Sequence, residues 1–297
     1  MRYTNKYNFP DYVYQWLTTD YYDYDENTLS ATTLMKPARA YAIEKQNWEN
    51  LEIDVSDVIA SRYGTAIHDS VEKVKLKDCK QEQRLKKSVL GKTITGKFDI
   101  LRQIANDQWE LIDVKSTSVW SYVYGSKEEE YKKQLSIYRW LAIENGYNVI
   151  DKAKIWMIFT DWSQERAKKN PDYPDTRIKI KEIELWSEEK TLKYIGDRIR
   201  ILEDAAKKNQ EEMPKCTNEE LWAESDKWQV MKENRKTAIK NCETEEEAEE
   251  YIGAIKKDQN KYGVYLRKGG VKRCKYCIAR KFCTQYHELV ELGRIPK

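Results

Sequence analysis

Gly91-Lys-Thr-Ile-Thr-Gly-Lys-Phe-Asp-Ile-Leu-Arg-Gln-Ile-Ala-Asn-Asp-Gln-Trp-Glu-Leu-Ile-Asp-Val-Lys115 is the stretch whose reading decides the fold. Residues 91–104 mix β-branched with polar side chains and read as a strand. Residues 109–115 form an apolar run punctuated by polar residues, the pattern of a largely buried strand. Asn106-Asp107 between them is a turn former. The expectation is an antiparallel hairpin that sets Asp99 across from Asp113. Residues i and i+2 of a strand share a face, so Asp113 and Lys115 point the same way. Val114 then turns into the core, and its backbone carbonyl is left as a further metal ligand.

Working outward, residues 64–77 carry Ile67, Val71 and Val74 at helical spacing, which places His68 and Glu72 one turn apart on the other side of that helix. Both then face the carboxylates of the hairpin. Residues 129–143 are strongly periodic, and Gln134 and Tyr138 at i and i+4 share one helix face. The segment from Gly64 to Lys115 thus gathers one imidazole, two carboxylates and one ammonium. Hard divalent ions take oxygen ligands and leave open positions for water and a phosphate oxygen. An imidazole in the set tilts the preference from Mg²⁺ toward Mn²⁺. This is the set that metal-dependent phosphodiester hydrolysis requires, with Lys115 beside the attacking water.

In chain order the motifs are G-x-x-x-H, G-x-x-D, D-x-K and Q-x-x-x-Y, and together they resemble the RecB-type branch of the PD-(D/E)XK nuclease superfamily. The resemblance implies an α/β (α+β) fold, a restriction-endonuclease-like core whose mixed sheet is flanked by helices. It implies His68, Asp99, Asp113 and the Val114 carbonyl as ligands of Mg²⁺ or Mn²⁺. Lys115 would orient or help deprotonate the water, and Gln134 and Tyr138 would steady Lys115 and a DNA phosphate. Asp113 stands where the superfamily more often has Glu, although the RecB branch often has Asp. The pattern looks most like phage or prophage recombination exonucleases, which implies DNA as substrate and a single-strand annealing or recombinase protein as partner. The alternatives are a structure-specific endonuclease and a non-catalytic nucleic-acid-binding or assembly protein with a thiolate metal site.

The sequence has no run of about 18 apolar residues and no signal-like start, so a cytoplasmic protein of a bacterial or phage-infected cell, with no membrane partner, is expected. Six cysteines in a reducing compartment are not disulfide staples. Cys274-x2-Cys277-x5-Cys283 resembles the C-terminal triplet of iron–sulfur RecB-type nucleases, including AddB-type subunits and CRISPR-adaptation exonucleases. In those a further cysteine upstream of the core completes a [4Fe–4S] cluster. Here residues 29–41 hold none, and the first cysteine of the chain is Cys79. A fourth ligand would come from Cys216, Cys242 or Cys79. Cys216 is favoured, because it follows a proline and precedes a capped helix start, outside any apolar stripe. Cys242 ends an apparent strand and reads as packing. A cluster, zinc, or no metal at all remain the three alternatives.

The whole chain of 297 residues is 35% charged with a net charge of +3. That balance hides an asymmetry: residues 1–61 carry five Lys/Arg against ten Asp/Glu, and residues 256–297 carry twelve against three. The basic end suits a polyanion. Tyr21, Tyr22, Trp120, Tyr122 and Tyr124 are candidates for stacking on bases, or equally for core or lid. The expected organisation is a helical N-terminal segment over residues 1–61, the core and its following helix over 62–208, and a small αβ insert with the basic cysteine segment over 209–297.

Overall fold

The computed structural model describes residues 1–19 and 27–295, so Tyr21 and Tyr22 lie outside the described residues. The chain divides into two compact units, Met1–Lys36 with Glu52–Lys207, and Pro37–Leu51 with Lys208–Lys297. In chain order the elements begin with β1 (Arg2–Thr4), α1 (Asp11–Thr18), β2 (Thr28–Ser30), α2 (Ala31–Leu34) and α3 (Ala38–Gln46). There follow β3 (Glu52–Asp54), α4 (Ile59–Glu72), β4 (Cys79–Gln81), β5 (Arg84–Val89), β6 (Lys92–Lys97), β7 (Ile100–Ala105) and β8 (Gln108–Thr117). The first unit is completed by α5 (Val119–Val123), α6 (Glu128–Glu144), β9 (Val149–Phe159), α7 (Gln164–Lys169), β10 (Ile178–Glu184) and α8 (Glu188–Ala206). Among the described residues no helix is long and apolar enough to cross a membrane.

The first unit is built on a five-stranded sheet in the order β10-β9-β8-β7-β4. β8 and β9 run parallel and the other neighbours antiparallel, so the sheet is mixed. A parallel pair needs a crossover, and α5 and α6 supply it. β8 is central, with Leu111 and Val114 almost completely buried. Helix α6 buries Tyr131, Leu135, Tyr138 and Ala142, a stripe at spacings of three and four. Ser187 caps α8 by accepting from the Lys190 amide at 3.2 Å, and Glu188 and Glu189 lie in its first turn, where the helix dipole favours carboxylates. This is an α+β core with a mixed sheet and flanking helices.

Three local expectations change. The single strand over residues 91–104 is two strands: β6 joins β2 and β5 in a separate three-stranded sheet, while β7 pairs with β8. The chain breaks at Phe98-Asp99 because both backbones turn to the loop before β5, Phe98 N–H to Gln83 O at 3.3 Å and Glu82 N–H to Asp99 O at 2.9 Å. The helix expected over residues 64–77 spans Ile59–Glu72 instead, and a loop carrying Asp78 at φ 55° follows. Residues 1–61 are not one helical segment: they contain β1, β2 and β3, and Pro37–Leu51 belongs to the second unit. There the buried Arg39 of α3 donates to the carbonyls of Gln210 (2.9 Å) and Met213 (3.3 Å).

The second unit continues with α9 (Asn218–Leu221), β11 (Lys227–Lys232), β12 (Lys240–Cys242), α10 (Glu245–Gly253), β13 (Tyr262–Arg267) and α11 (Thr284–Glu291). Its antiparallel sheet has the order β12-β11-β13. Val230, Cys242 and Ala248 form the core between sheet and α10, with Val264 packed against it.

Two motif glycines meet different surroundings. A Cβ at Gly96 would lie 2.8 Å from both Leu141 Cδ1 and Tyr138 Cδ1, because β6 approaches α6 closely; at Gly64 it would meet only Ser116 Oγ at 3.4 Å. We expect Gly96→Ala to lower stability by about 1–3 kcal/mol through overpacking. Gly64→Ala should stay within about 1 kcal/mol of wild type or gain, as a helix-interior alanine does. Urea unfolding of both variants checks the contrast.

Candidate functional site

The break between β6 and β7 puts Asp99 at the entrance of the hairpin. Ile100 pairs with Ile112, so continuing the register sets Asp99 opposite Asp113, as the sequence predicts. Asp99 Oδ2 accepts the Val114 backbone N–H at 2.6 Å, and Oδ1 lies 3.3 Å from His68 Nδ1. Helix α4 presents Ser61, Gly64, Thr65 and His68 along one face, spaced by three and four residues, to a cavity of about 420 Å³. Glu82, Asp99, Asp113, Lys115, Gln134 and Tyr138 line the same cavity.

Among the described residues, His68, Glu82 and Asp99 bring ligand atoms within 4.8 Å of one another. Glu82 Oε1 is 3.8 Å from His68 Nδ1, and Lys97 pairs with its other oxygen. The carboxylates of Asp99 and then Glu82 beside it raise the imidazole pKa to about 10. Burial would raise Glu82, but the positive groups of His68 and Lys97 beside it outweigh that and hold its carboxyl below the usual range. The three groups therefore share a proton on His68 that a coordinated cation would displace.

Asp113 stands beside this triad rather than within it. It shares a strand face with Lys115, whose Nζ lies 2.8 Å from Asp113 Oδ2. The contact lies outside hydrogen-bonding angles, so this buried oxygen has a charge beside it but no hydrogen-bond partner. Burial raises the Asp113 pKa despite the Lys115 charge. Burial alone would lower Lys115, but the Asp113 carboxylate outweighs it and keeps the ammonium charged. Lys115 also sits 5.8 Å from the centre of the Tyr131 ring. Gln134 Nε2 donates to the Tyr138 hydroxyl at 2.8 Å, and burial pushes the Tyr138 pKa up to about 12. The Val114 side chain is completely buried.

Glu82 was missed by sequence reasoning, and Glu72 does not line the cavity. Glu82 sits in a loop at φ 51°, outside any periodic segment, and its one signal was its place shortly before G-x-x-D. Trp120 and Tyr124 stack on each other, 5.7 Å apart, and Trp120 meets Tyr173 edge-on.

The four cysteines favoured from the sequence all lie in the second unit. Cys216 and Cys274 both pack against Leu221, Val271 and Ile295. The buried Gln285 clamps Cys216 from both sides, accepting its N–H at 2.8 Å and donating to its carbonyl at 3.0 Å. Burial pushes the Cys216 thiol up to about 12, followed by the negative charges of Glu220, Cys283, Cys277 and Cys274. Burial, with Cys277 and Cys283, likewise takes Cys274 to about 11. Arg39 Nε donates to Cys283 Sγ at 3.4 Å. Cys242 is buried beside Val230 and Ala248, and Cys79 lies in β4 of the first unit.

No protein-family model matches this chain, and no curated protein does. Among solved structures the chain is similar to SSO0001, at 22% identity, covering 61% of this chain and 79% of that one with a TM-score of 0.43. It is also similar to a phage-related exonuclease from Haemophilus somnus 129PT, at 15% identity, covering 63% and 87% with a TM-score of 0.33.

The His68 pair gives a direct test by NMR. The protein has two histidines, so His287→Gln identifies the His68 resonance. Without divalent ions His68 should remain protonated well past pH 8, and Asp99→Asn should bring its titration down toward the free value of about 6.5. A folded pKa above the unfolded one stabilises fully below about pH 6.5 and loses that contribution as pH rises toward 10. Asp99→Asn should accordingly flatten the decline of stability over that window.

Proposed function

We propose that this chain is a Mg²⁺- or Mn²⁺-dependent DNA exonuclease. The observation that carries the reading is the convergence of His68, Glu82 and Asp99 beside the Asp113–Lys115 pair in one cavity. The donor set of one imidazole and carboxylates fits a hard or borderline divalent ion, and the buried Asp113 oxygen without a hydrogen bond is a further donor. His68, Glu82, Asp99 and Asp113 would hold the ion, with the Val114 carbonyl as an additional ligand. A bound ion supplies Lewis acidity at a phosphoryl oxygen and a more acidic water.

The remaining steps belong to the chain itself. Water oxygen forms a bond to phosphorus, the ester P–O bond breaks, and the proton lost by water is balanced by the one taken up by the leaving oxygen. Lys115, kept charged by Asp113, orients the water and stabilises the negative charge that develops on phosphorus oxygens. Because its pKa is held up, it serves as a donor rather than as the base. The Tyr138 hydroxyl accepts from Gln134, which leaves its own proton for a phosphate oxygen. Action at DNA ends, beside a single-strand annealing or recombinase protein, is the setting that the motif resemblance suggests.

End-labelled linear duplex and single-stranded DNA, incubated with Mg²⁺ or Mn²⁺, test the reading. Asp113→Ala and Lys115→Ala should each lose about a hundredfold or more of the rate. Glu82→Gln should need a higher metal concentration for half-maximal activity. Equal degradation by all the variants would sink the hydrolytic assignment, and nicking of closed circular DNA would replace the exonuclease with an endonuclease.

We further propose that Cys216, Cys274, Cys277 and Cys283 hold a [4Fe–4S] cluster. In support, Arg39 is buried with its donors on carbonyls, a hydroxyl and the Cys283 sulfur, and its positive charge would offset part of the negative charge of a cluster held there. Among the described residues no three of these sulfurs lie within 4.8 Å of one another. Tetrahedral zinc, with Zn–S of about 2.3 Å, would draw them closer. Anaerobically purified protein should be brown, with broad absorbance in the blue. Cys216→Ser should lose most of the iron and Cys242→Ser retain it; colourless protein containing zinc would overturn the cluster.

A further inference from the structure

The sheet of the second unit has one covered face and one open face. Val230, Cys242 and Val264 turn toward α10, so the residues that alternate with them point away from it. Across the open face Asn241, Gln229 and Tyr265 are in register, with Met231 opposite Gly263 in the next row. Gln229 Nε2 donates to Asn241 Oδ1 at 2.8 Å. Tyr265 lies back over Gly263: a Cβ at that glycine would come within 2.9 Å of its ring. The missing side chain therefore seats the phenol against the strand, yet Tyr265 remains 60% exposed. It is a flat aromatic surface held in place beforehand.

A cavity of about 520 Å³ opens beside this ring, within the range of about 300–1,000 Å³ typical of pockets for small molecules. Lys232, Arg235 and Lys261 line it against the single carboxylate of Glu233. Lys232 shares a strand face with Val230, its Nζ over the Tyr262 ring at 5.3 Å on the α10 side, and Lys261 pairs with Asp258 at 3.1 Å. On the opposite side of the sheet α10 carries five glutamates and no basic residue. The open side carries the seated Tyr265 ring, with Arg235 and Lys261 lining the cavity beside it. An acidic peptide would be served by the cations alone, whereas a seated aromatic ring beside cations and amides matches the way bases stack while phosphates meet lysine and arginine.

We propose that this open face binds single-stranded DNA, with one base stacked on Tyr265 and the flanking phosphates at Arg235 and Lys261. The site lies wholly in the second unit, and its occupancy does not depend on hydrolysis in the first.

The test is anisotropy of fluorescein-labelled (dT)15 with the full chain in EDTA, so that binding is read without cleavage. Tyr265→Leu keeps bulk over Gly263 but removes the π face, and it should weaken binding about tenfold; Tyr265→Phe should stay within about twofold of wild type. The Arg235→Gln/Lys261→Gln double variant should lower the slope of log affinity against log salt by about 1.4. With 5-iodouracil in the oligonucleotide, the photo-adduct should map to the peptide holding Tyr262 and Tyr265. Wild-type affinity in Tyr265→Leu together with an unchanged salt slope would overturn the proposal. So would an adduct confined to other peptides, equal and Tyr265-dependent binding of a duplex of the same length, or displacement by poly-glutamate as effective as by unlabelled (dT)15.

Discussion

The hydrogen bond from the Val114 amide to Asp99 Oδ2, 2.6 Å long and buried, is the contact on which the first unit's site depends. It joins the point where one strand ends and another begins to the central strand of the mixed sheet. A carboxylate accepting a buried amide forms a charge-assisted bond, worth about 1.5–3 kcal/mol. With one oxygen committed to β8, the other can only face α4, where His68 meets it at 3.3 Å. Helix, hairpin and loop are thereby referred to a single carboxylate. Glu82 reaches the same place because its own amide is bonded to the Asp99 carbonyl at 2.9 Å. One residue thus sets the site through its side chain and through its backbone.

How much of this was legible in the sequence follows from the range of each cause. The hairpin, its Asn106-Asp107 turn and the shared face of Asp113 and Lys115 are local and periodic, and they were readable. So was the Gln134–Tyr138 pair, since i and i+4 is a property of one helix. The strand break at Phe98-Asp99 was not, because β-branched content continues through it and the partners of the two halves lie in different sheets. Glu82 was invisible for a related reason: its position rests on a backbone bond to Asp99, seventeen positions on, and on a left-handed φ. Arg39 shows the same limit, for it stands among apolar residues of a short helix and only the fold brings it to Gln210 and Cys283.

Glycine illustrates why a motif residue need not carry one meaning. Gly96 is required by the approach of Tyr138 and Leu141 from α6, so it positions a cavity residue by lacking a side chain. Gly64 has room for a methyl group against the fold. Gly263 reverses the logic of Gly96: its empty side receives the ring of a neighbour on the same strand. In each case the informative quantity is what occupies the space a Cβ would take, and that is set by tertiary packing.

The electrostatics of the cavity argue for the order in which charges would enter it. Glu82, Asp99 and Asp113 meet His68, Lys97 and Lys115 in direct ion pairs, three negative charges against three positive ones. Such a cluster is balanced in the folded chain and needs no ligand to offset buried charge. On the proposed reading, exchange of the His68 proton for a divalent ion moves the balance by one positive charge. A single phosphodiester brings one negative charge. On the same reading Lys115 has no part in that exchange, since its counter-charge is Asp113, and it would stay charged to meet the second negative charge that forms on phosphorus oxygens as water adds. A carboxylate in place of His68 would leave the ion-bound site neutral, with no net positive charge for a phosphodiester to offset. The imidazole is thus the element that matches the resting balance to a substrate of unit charge.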